Sequence, residues 1–185
     1  MAPNGGLTLL ELLLALGLGL VVAMLLIQVL VLQGQHGALL TRLLREKALQ
    51  RRTIELIRAD LLRADAVVLG SAPAAACSLS GRLPLLQLQA SSGSVVYSLG
   101  APPSAIWRGK VLMRCGPAFG LDGEPSRGES LNRVVLDGLT SSGLRLEHLG
   151  GGRLQLRLDQ EFPLLQGGVQ RISSSVVLAG LALAP

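Results

Sequence analysis

Aromatic residues are nearly missing from this chain: they make up 2% of its 185 residues, with one Trp, one Tyr and two Phe. Base stacking on aromatic platforms is therefore disfavoured as a mode of nucleic-acid binding. Histidine occurs only as His36 and His148, both distant in sequence from the two cysteines, Cys77 and Cys115. The cysteines lack CxxC spacing, so neither a zinc site nor a dithiol redox motif is expected, and no cofactor is implied. No nucleophile elbow or P-loop occurs either, which argues against an enzyme. The nearest approach to a catalytic pair, Glu147-His148 beside a glycine cluster, reads better as a surface turn. Lysine is scarce as well, and the formal net charge of +5 rests almost wholly on arginine. Seven basic and four acidic residues lie between Gly34 and Ala66, and ten and seven follow from Val67 onward. An excess so dispersed implies weak attraction to polyanions and nothing more specific.

What is present in abundance is leucine, concentrated first in one run. From Leu12 to Leu32 the only strongly polar residue is Gln28. A run of this length matches the roughly 20 residues that cross a hydrocarbon core about 30 Å thick. It is too long for the apolar region of a signal peptide. The preceding residues Met1 to Gly6 carry no Lys or Arg, and no small-residue cleavage site follows the run. A cleaved secretory signal is thus disfavoured.

Beyond the run, Leu40, Leu44 and Ala48, then Ile54, Ile57 and Leu61, recur at helical spacing, joined by Leu43 and Leu62. Arg45, Arg52, Glu55, Arg58 and Arg63 fall on the other side. No proline lies between Asn4 and Pro73, so the pattern predicts one helix from about Leu7 to Ala66. From Val67 to Pro185 short strand patterns alternate with turn residues: Leu83–Gln89, Ser94–Leu99, Ala105–Arg114, Arg133–Leu136, Gly143–Leu149, Arg153–Asp159 and Val169–Leu178. Leu154, Leu156 and Leu158 alternate with polar residues, as in a half-buried antiparallel strand. Gly150-Gly151-Gly152 reads as a hairpin turn and Gly116 to Gly128 as an exposed loop. The expected fold class is α+β, a long N-terminal helix packed on a C-terminal antiparallel sheet, since neither can bury its apolar face alone. If the sheet domain faces an oxidising compartment, Cys77 and Cys115 are expected to form one structural disulfide, contributing up to about 4 kcal/mol.

The head of the apolar run carries the most information. Thr8-Leu9-Leu10-Glu11 fits a capping box, and a carboxylate in the first turn suits the helix dipole. A capping box explains Thr8 and Glu11 in any helix. It does not explain a carboxylate leading directly into a membrane-length run, nor the glycines before it.

Gly6-Leu7-Thr8-Leu9-Leu10-Glu11 followed by Leu12 to Leu32 closely resembles the class III signal of type IV prepilins. That signal is shared by type IV pilins, type II secretion pseudopilins and competence pseudopilins. The resemblance implies cleavage after Gly6 by prepilin peptidase and N-methylation of the new first residue, Leu7. Glu11 then occupies the family's glutamate at the fifth mature position, where it sets axial register in the filament by meeting the Leu7 ammonium. The chain departs from the family in having Leu7 where Phe is usual, and in a leader without a basic residue. Val95-Val96-Tyr97-Ser98-Leu99 followed by Ile106-Trp107-Arg108 is similar to minor pilins of the PilW and GspJ kind, as are Val135 to Leu139 and Ser173 to Leu178. For Tyr97 and Trp107, core packing is the alternative to any ligand role.

The resemblance divides the chain into a leader (1–6), a transmembrane and assembly half-helix (7–33), an amphipathic half-helix (34–66) and a periplasmic pilin-like domain (67–185). It implies a single-pass inner-membrane protein with a cytoplasmic N-terminus, later part of a pilus or pseudopilus. Its partners would be other pilin subunits, prepilin peptidase, an inner-membrane assembly platform and membrane lipid. Arg42 to Arg52, beyond the span, would by the positive-inside rule place the sheet domain in the cytoplasm, and here the motif is given precedence. Two alternatives stay open. One is an anchored periplasmic protein of another function. The other is a DNA-uptake receptor, if Arg108, Lys110, Arg114, Arg127, Arg133, Arg145 and Arg153 gather on one face.

Overall fold

The computed structural model of the chain describes residues 8–70, 77–164 and 167–179, leaving aside the side chains of residues 32, 34–36, 38 and 127. The fold class is α+β, one helix followed by an antiparallel sheet. Helix α1 (Leu9–Arg63) precedes seven strands: β1 (Ala66–Leu69), β2 (Leu83–Ala90), β3 (Gly93–Gly100), β4 (Lys110–Phe119), β5 (Pro125–Gly150), β6 (Arg153–Pro163) and β7 (Val169–Leu178). They form a single sheet in chain order, β1 to β7, each strand antiparallel to the next. The chain divides into two compact units within α1, Met1–Leu44 and Arg45–Pro185.

In the first unit, Leu9–Val31 is a helix of 23 residues, long and apolar enough to cross a membrane. Its large side chains are all exposed, from Leu9 through Val31. Leu40 and Leu44 extend the exposed apolar surface, at 58% and 60% exposure. They were expected on the buried face.

In the second unit the buried stripe of α1 is Glu46, Gln50, Thr53, Ile57, Asp60 and Leu61, with Ile54 and Leu49 partly buried beside it. The spacing is helical, as expected, but four of the six buried residues are polar. Hydropathy cannot find such a stripe, because polar side chains bury only where the partner surface offers hydrogen bonds. Ala48 and Leu62 are exposed instead. The helix stops at Arg63, before the expected end at Ala66, because Asp65 N–H turns to the Gln89 carbonyl at 2.7 Å and Ala66 opens the ladder with β2. Strand β1, missing from the expected set, is only four residues long.

Ile57 and Leu61 join one core with Leu86, Leu88, Val95, Tyr97, Leu112, Leu136 and their neighbours on the sheet. Leu154, Leu156 and Leu158 of β6 are fully buried in it, as their alternation predicts. Each such leucine contributes about 1.5–3 kcal/mol relative to an exposed one. Strands β3 and β4 are buried on both faces: Tyr97, Leu99, Leu112 and Arg114 share one face, and Val96, Ser98, Val111, Met113 and Cys115 share the other. On that second face Cys77 bonds Cys115 and Arg82 packs against Gly100, where an added Cβ would meet Arg82 Cγ at 2.5 Å.

Three loop boundaries differ from expectation. Residues 105–109 are not strand: Trp107 N–H closes a turn on the Ser104 carbonyl, and Gly109 takes a φ of 53°. The expected loop at Gly116 to Gly128 shrinks to residues 120–124, because β4 runs on to Phe119 with Gly116 and Pro117 buried. The two strands expected at 133–136 and 143–149 are one, β5, which pairs β4 through Leu139 and β6 from Leu139 onward. Gly150, Gly151 and Gly152 do form the β5–β6 turn, all with positive φ.

Candidate functional site

Thr8 caps α1. Its carbonyl accepts from Leu12 N–H at 3.2 Å, and its hydroxyl oxygen accepts from Glu11 N–H at 3.3 Å. Glu11 Oε2 in turn accepts from Thr8 N–H at 3.0 Å and from the Thr8 hydroxyl at 3.2 Å. The box is reciprocal, and removing a cap of this kind costs about 1 kcal/mol. Among the described residues no cation pairs with Glu11. The carboxylate is thus hydrogen-bonded but not neutralised, at the head of an exposed apolar helix. Such a surface has two outlets, a lipid core or a neighbouring apolar helix. Gly6 and Leu7, the expected cleavage and methylation positions, lie outside the described residues.

The polar stripe of α1 makes a specific set of bonds across the sheet. Glu46 Oε1 accepts from Arg108 at 2.9 Å, and Arg108 also forks onto Asp137 at 3.0 and 3.1 Å. Gln50 donates to the Ile172 carbonyl at 3.2 Å and accepts from the Ser174 hydroxyl. Thr53 donates its hydroxyl to the Val135 carbonyl at 3.2 Å. Asp60 takes a two-pronged pair from Arg114, at 2.7 and 3.0 Å, and the Tyr97 hydroxyl donates to it as well. Arg114 then donates to the Pro117 carbonyl at 2.8 Å and lies 4.8 Å over the Phe119 ring. Burial would lift the Asp137 carboxyl, but the hydrogen bonds and charge of Arg108 outweigh it and hold the carboxyl below its usual range.

Burial first, then the charge and hydrogen bond of Asp60, push the Tyr97 phenol well above its usual value. An acid whose folded pKa is raised stays neutral in the native state, so its contribution to stability is intact below pH 10 and is lost as pH rises through and beyond that value. Tyr97 is the only tyrosine. Tyrosinate absorbance on alkaline titration is therefore expected to appear only with unfolding seen by circular dichroism. Ionisation at an ordinary phenol pKa in the still-folded protein would contradict the buried arrangement.

The disulfide Cys77–Cys115 closes 38 residues of chain and ties the β1–β2 connection to β4. The arginines considered for a polyanion face do not form one set. Arg108 is committed to Glu46 and Asp137, and Arg114 is buried against Asp60. Lys110 and Arg145 line a common concavity instead. Glu147 and His148 are consecutive exposed residues of β5, where successive side chains point to opposite faces. Trp107 is half-buried and Tyr97 fully buried. The residues that sequence reasoning missed are Glu46, Gln50 and Asp60. A three- and four-residue spacing of polar side chains running in step with Ile57 was the available signal. No family model, curated protein or solved structure matches the chain.

Proposed function

We propose that this protein is a minor pilin or pseudopilin: a non-enzymatic subunit processed between Gly6 and Leu7, N-methylated at Leu7, and assembled into or priming a filament. The filament would be a type IV pilus, a competence pilus or a type II secretion pseudopilus. The observation that carries the reading is the reciprocal Thr8–Glu11 box heading the exposed, membrane-length helix Leu9–Val31. A cap alone needs only hydrogen bonds, whereas an anion beside a hydrocarbon core also needs a counter-charge. Processing would create one, the Leu7 ammonium, within reach of Glu11 on the same chain or on a neighbour. The Cys77–Cys115 bond supports a periplasmic sheet domain, since structural disulfides persist in oxidising compartments.

The DNA-receptor alternative has less support, because Arg108 and Arg114 already neutralise carboxylates within the fold. An anchored periplasmic protein of another function is the remaining alternative. The deciding experiment is N-terminal sequencing with intact-mass measurement of the protein extracted from membranes of cells carrying prepilin peptidase. The expected product begins at methylated Leu7. A product that retains residues 1–6 would overturn the proposal.

A further inference from the structure

Strand β5 changes partner at Leu139, which stands opposite Lys110 of β4 and Gln160 of β6. Just beyond, pairing resumes only at Leu144 opposite Leu158, so four residues of β5, Thr140 to Gly143, face the single residue Asp159. An irregularity of this size takes side chains out of the ladder and re-aims them. Gly143 is what lets it close. A Cβ there would stand 2.7 Å from the Thr140 nitrogen and 2.8 Å from the Asp159 carbonyl oxygen, both fixed backbone atoms. The extruded Thr140, Ser141 and Ser142 line a surface concavity of about 670 Å³, with Lys110 and Arg145 among the other lining residues.

The charge in this concavity is unbalanced. Lys110, Arg145, Arg157 and Arg171 line it together with only two carboxylates, Asp159 and Glu161. Arg157 pairs with Asp159 at 3.2 Å and Arg171 pairs with Glu161. Ser173 also donates to Asp159. Both carboxylates are therefore engaged. Lys110 has no partner among the described residues; the hydrogen bond of Arg145 among them goes to the Ser142 hydroxyl, at 3.3 Å, and its charge also acts on Asp159. Because Ser142 accepts that bond, its own proton is free to donate. Burial would lift the Asp159 carboxyl, yet the donors Ser173 and Arg157 and the charges of Arg157 and Arg145 bring it below its usual range. The lining thus offers an ammonium, a guanidinium fork and three hydroxyls whose only engaged member still has a proton to give.

We propose that this concavity is a binding site for a phosphate-type oxyanion, held by Lys110, Arg145 and the hydroxyls of the 140–142 bulge. A tetrahedral group with several acceptor oxygens matches donors of mixed kind lining one concavity, and the guanidinium fork suits it. The site does not depend on the filament reading, since it uses neither Glu11 nor the apolar helix.

The test is calorimetric titration of inorganic phosphate into the full-length protein in neutral-detergent micelles at low salt. Saturable binding is expected, weakened at least about tenfold by the double substitution Lys110→Ala with Arg145→Ala. Both side chains are exposed and outside ion pairs, so the variant is expected to melt with the wild type. Arg133→Ala removes an exposed arginine outside the concavity and is expected to leave binding unchanged. Absence of saturation, wild-type binding by the double variant, or equal weakening by Arg133→Ala would overturn the site. Micelles doped with phosphatidylglycerol form the second arm. Tighter binding there than to free phosphate, with the same dependence on Lys110 and Arg145, would support the site with a lipid headgroup as its source. Equal or weaker binding would support it with free phosphate as the source.

Discussion

Asp60→Ala is expected to lower the stability of the sheet domain by about 3–5 kcal/mol, a drop in melting temperature on the order of 10 °C. The size follows from what the substitution leaves behind. Arg114 and Asp60 side chains are 8% and 3% exposed, and the Tyr97 hydroxyl points at the same carboxylate. Removing the anion strands a guanidinium and a phenol in a place that water scarcely reaches. One hydrogen bond to the Pro117 carbonyl and the ring of Phe119 are what Arg114 would retain. Replacing both charges at once, Asp60→Leu with Arg114→Met, is expected to cost less than Asp60→Ala alone, because no unpaired charge remains. Thermal melts of the full-length protein in micelles, followed by circular dichroism, give both numbers. A loss below about 1 kcal/mol in the single variant would mean that the pair behaves as a surface ion pair.

The same residues show where the sequence stopped being informative. The apolar helix, the β6 alternation and the glycine turn after β5 were legible, because each is a local pattern whose period or turn chemistry shows in the residues themselves. The buried stripe of α1 was not. Glu46, Gln50, Thr53 and Asp60 are buried because Ile172, Ser174, Val135, Tyr97 and Arg114 arrive from strands far along the chain, and Arg108 from the turn before β4. Only the assembled sheet makes those positions inward-facing. Leu40 and Leu44 read as core because apolar helical spacing looks the same whether or not a partner surface covers it. The joining of β5 was hidden as well: Gly138 and Gly143, which permit its irregularities, look in sequence like ordinary strand breakers. At the head of the chain the balance is reversed. The Thr8–Glu11 box spans one helical turn and could be read directly, whereas the proposed role of the Glu11 charge depends on other molecules.

That role can be separated from the cap. Glutamine at the third helical position supports a capping box as glutamate does, so Glu11→Gln retains the bond to the Thr8 amide and removes only the charge. Glu11→Ala removes both. If register in a filament depends on an ammonium meeting this carboxylate, the two variants should be processed at Gly6 yet share one defect. Incorporation relative to wild type is expected to fall at least about tenfold in each, equivalent to about 1.4 kcal/mol between correct and shifted axial positions. The reason is that an anion left unpaired against neighbouring apolar helices costs several kcal/mol, while a neutral side chain is indifferent to register. Quantifying the subunit in sheared filaments against its level in the membrane reads the effect directly. Normal incorporation of Glu11→Gln together with failure of Glu11→Ala would assign the function to the cap and withdraw the charge from the mechanism. Normal incorporation of both would remove Glu11 from assembly altogether.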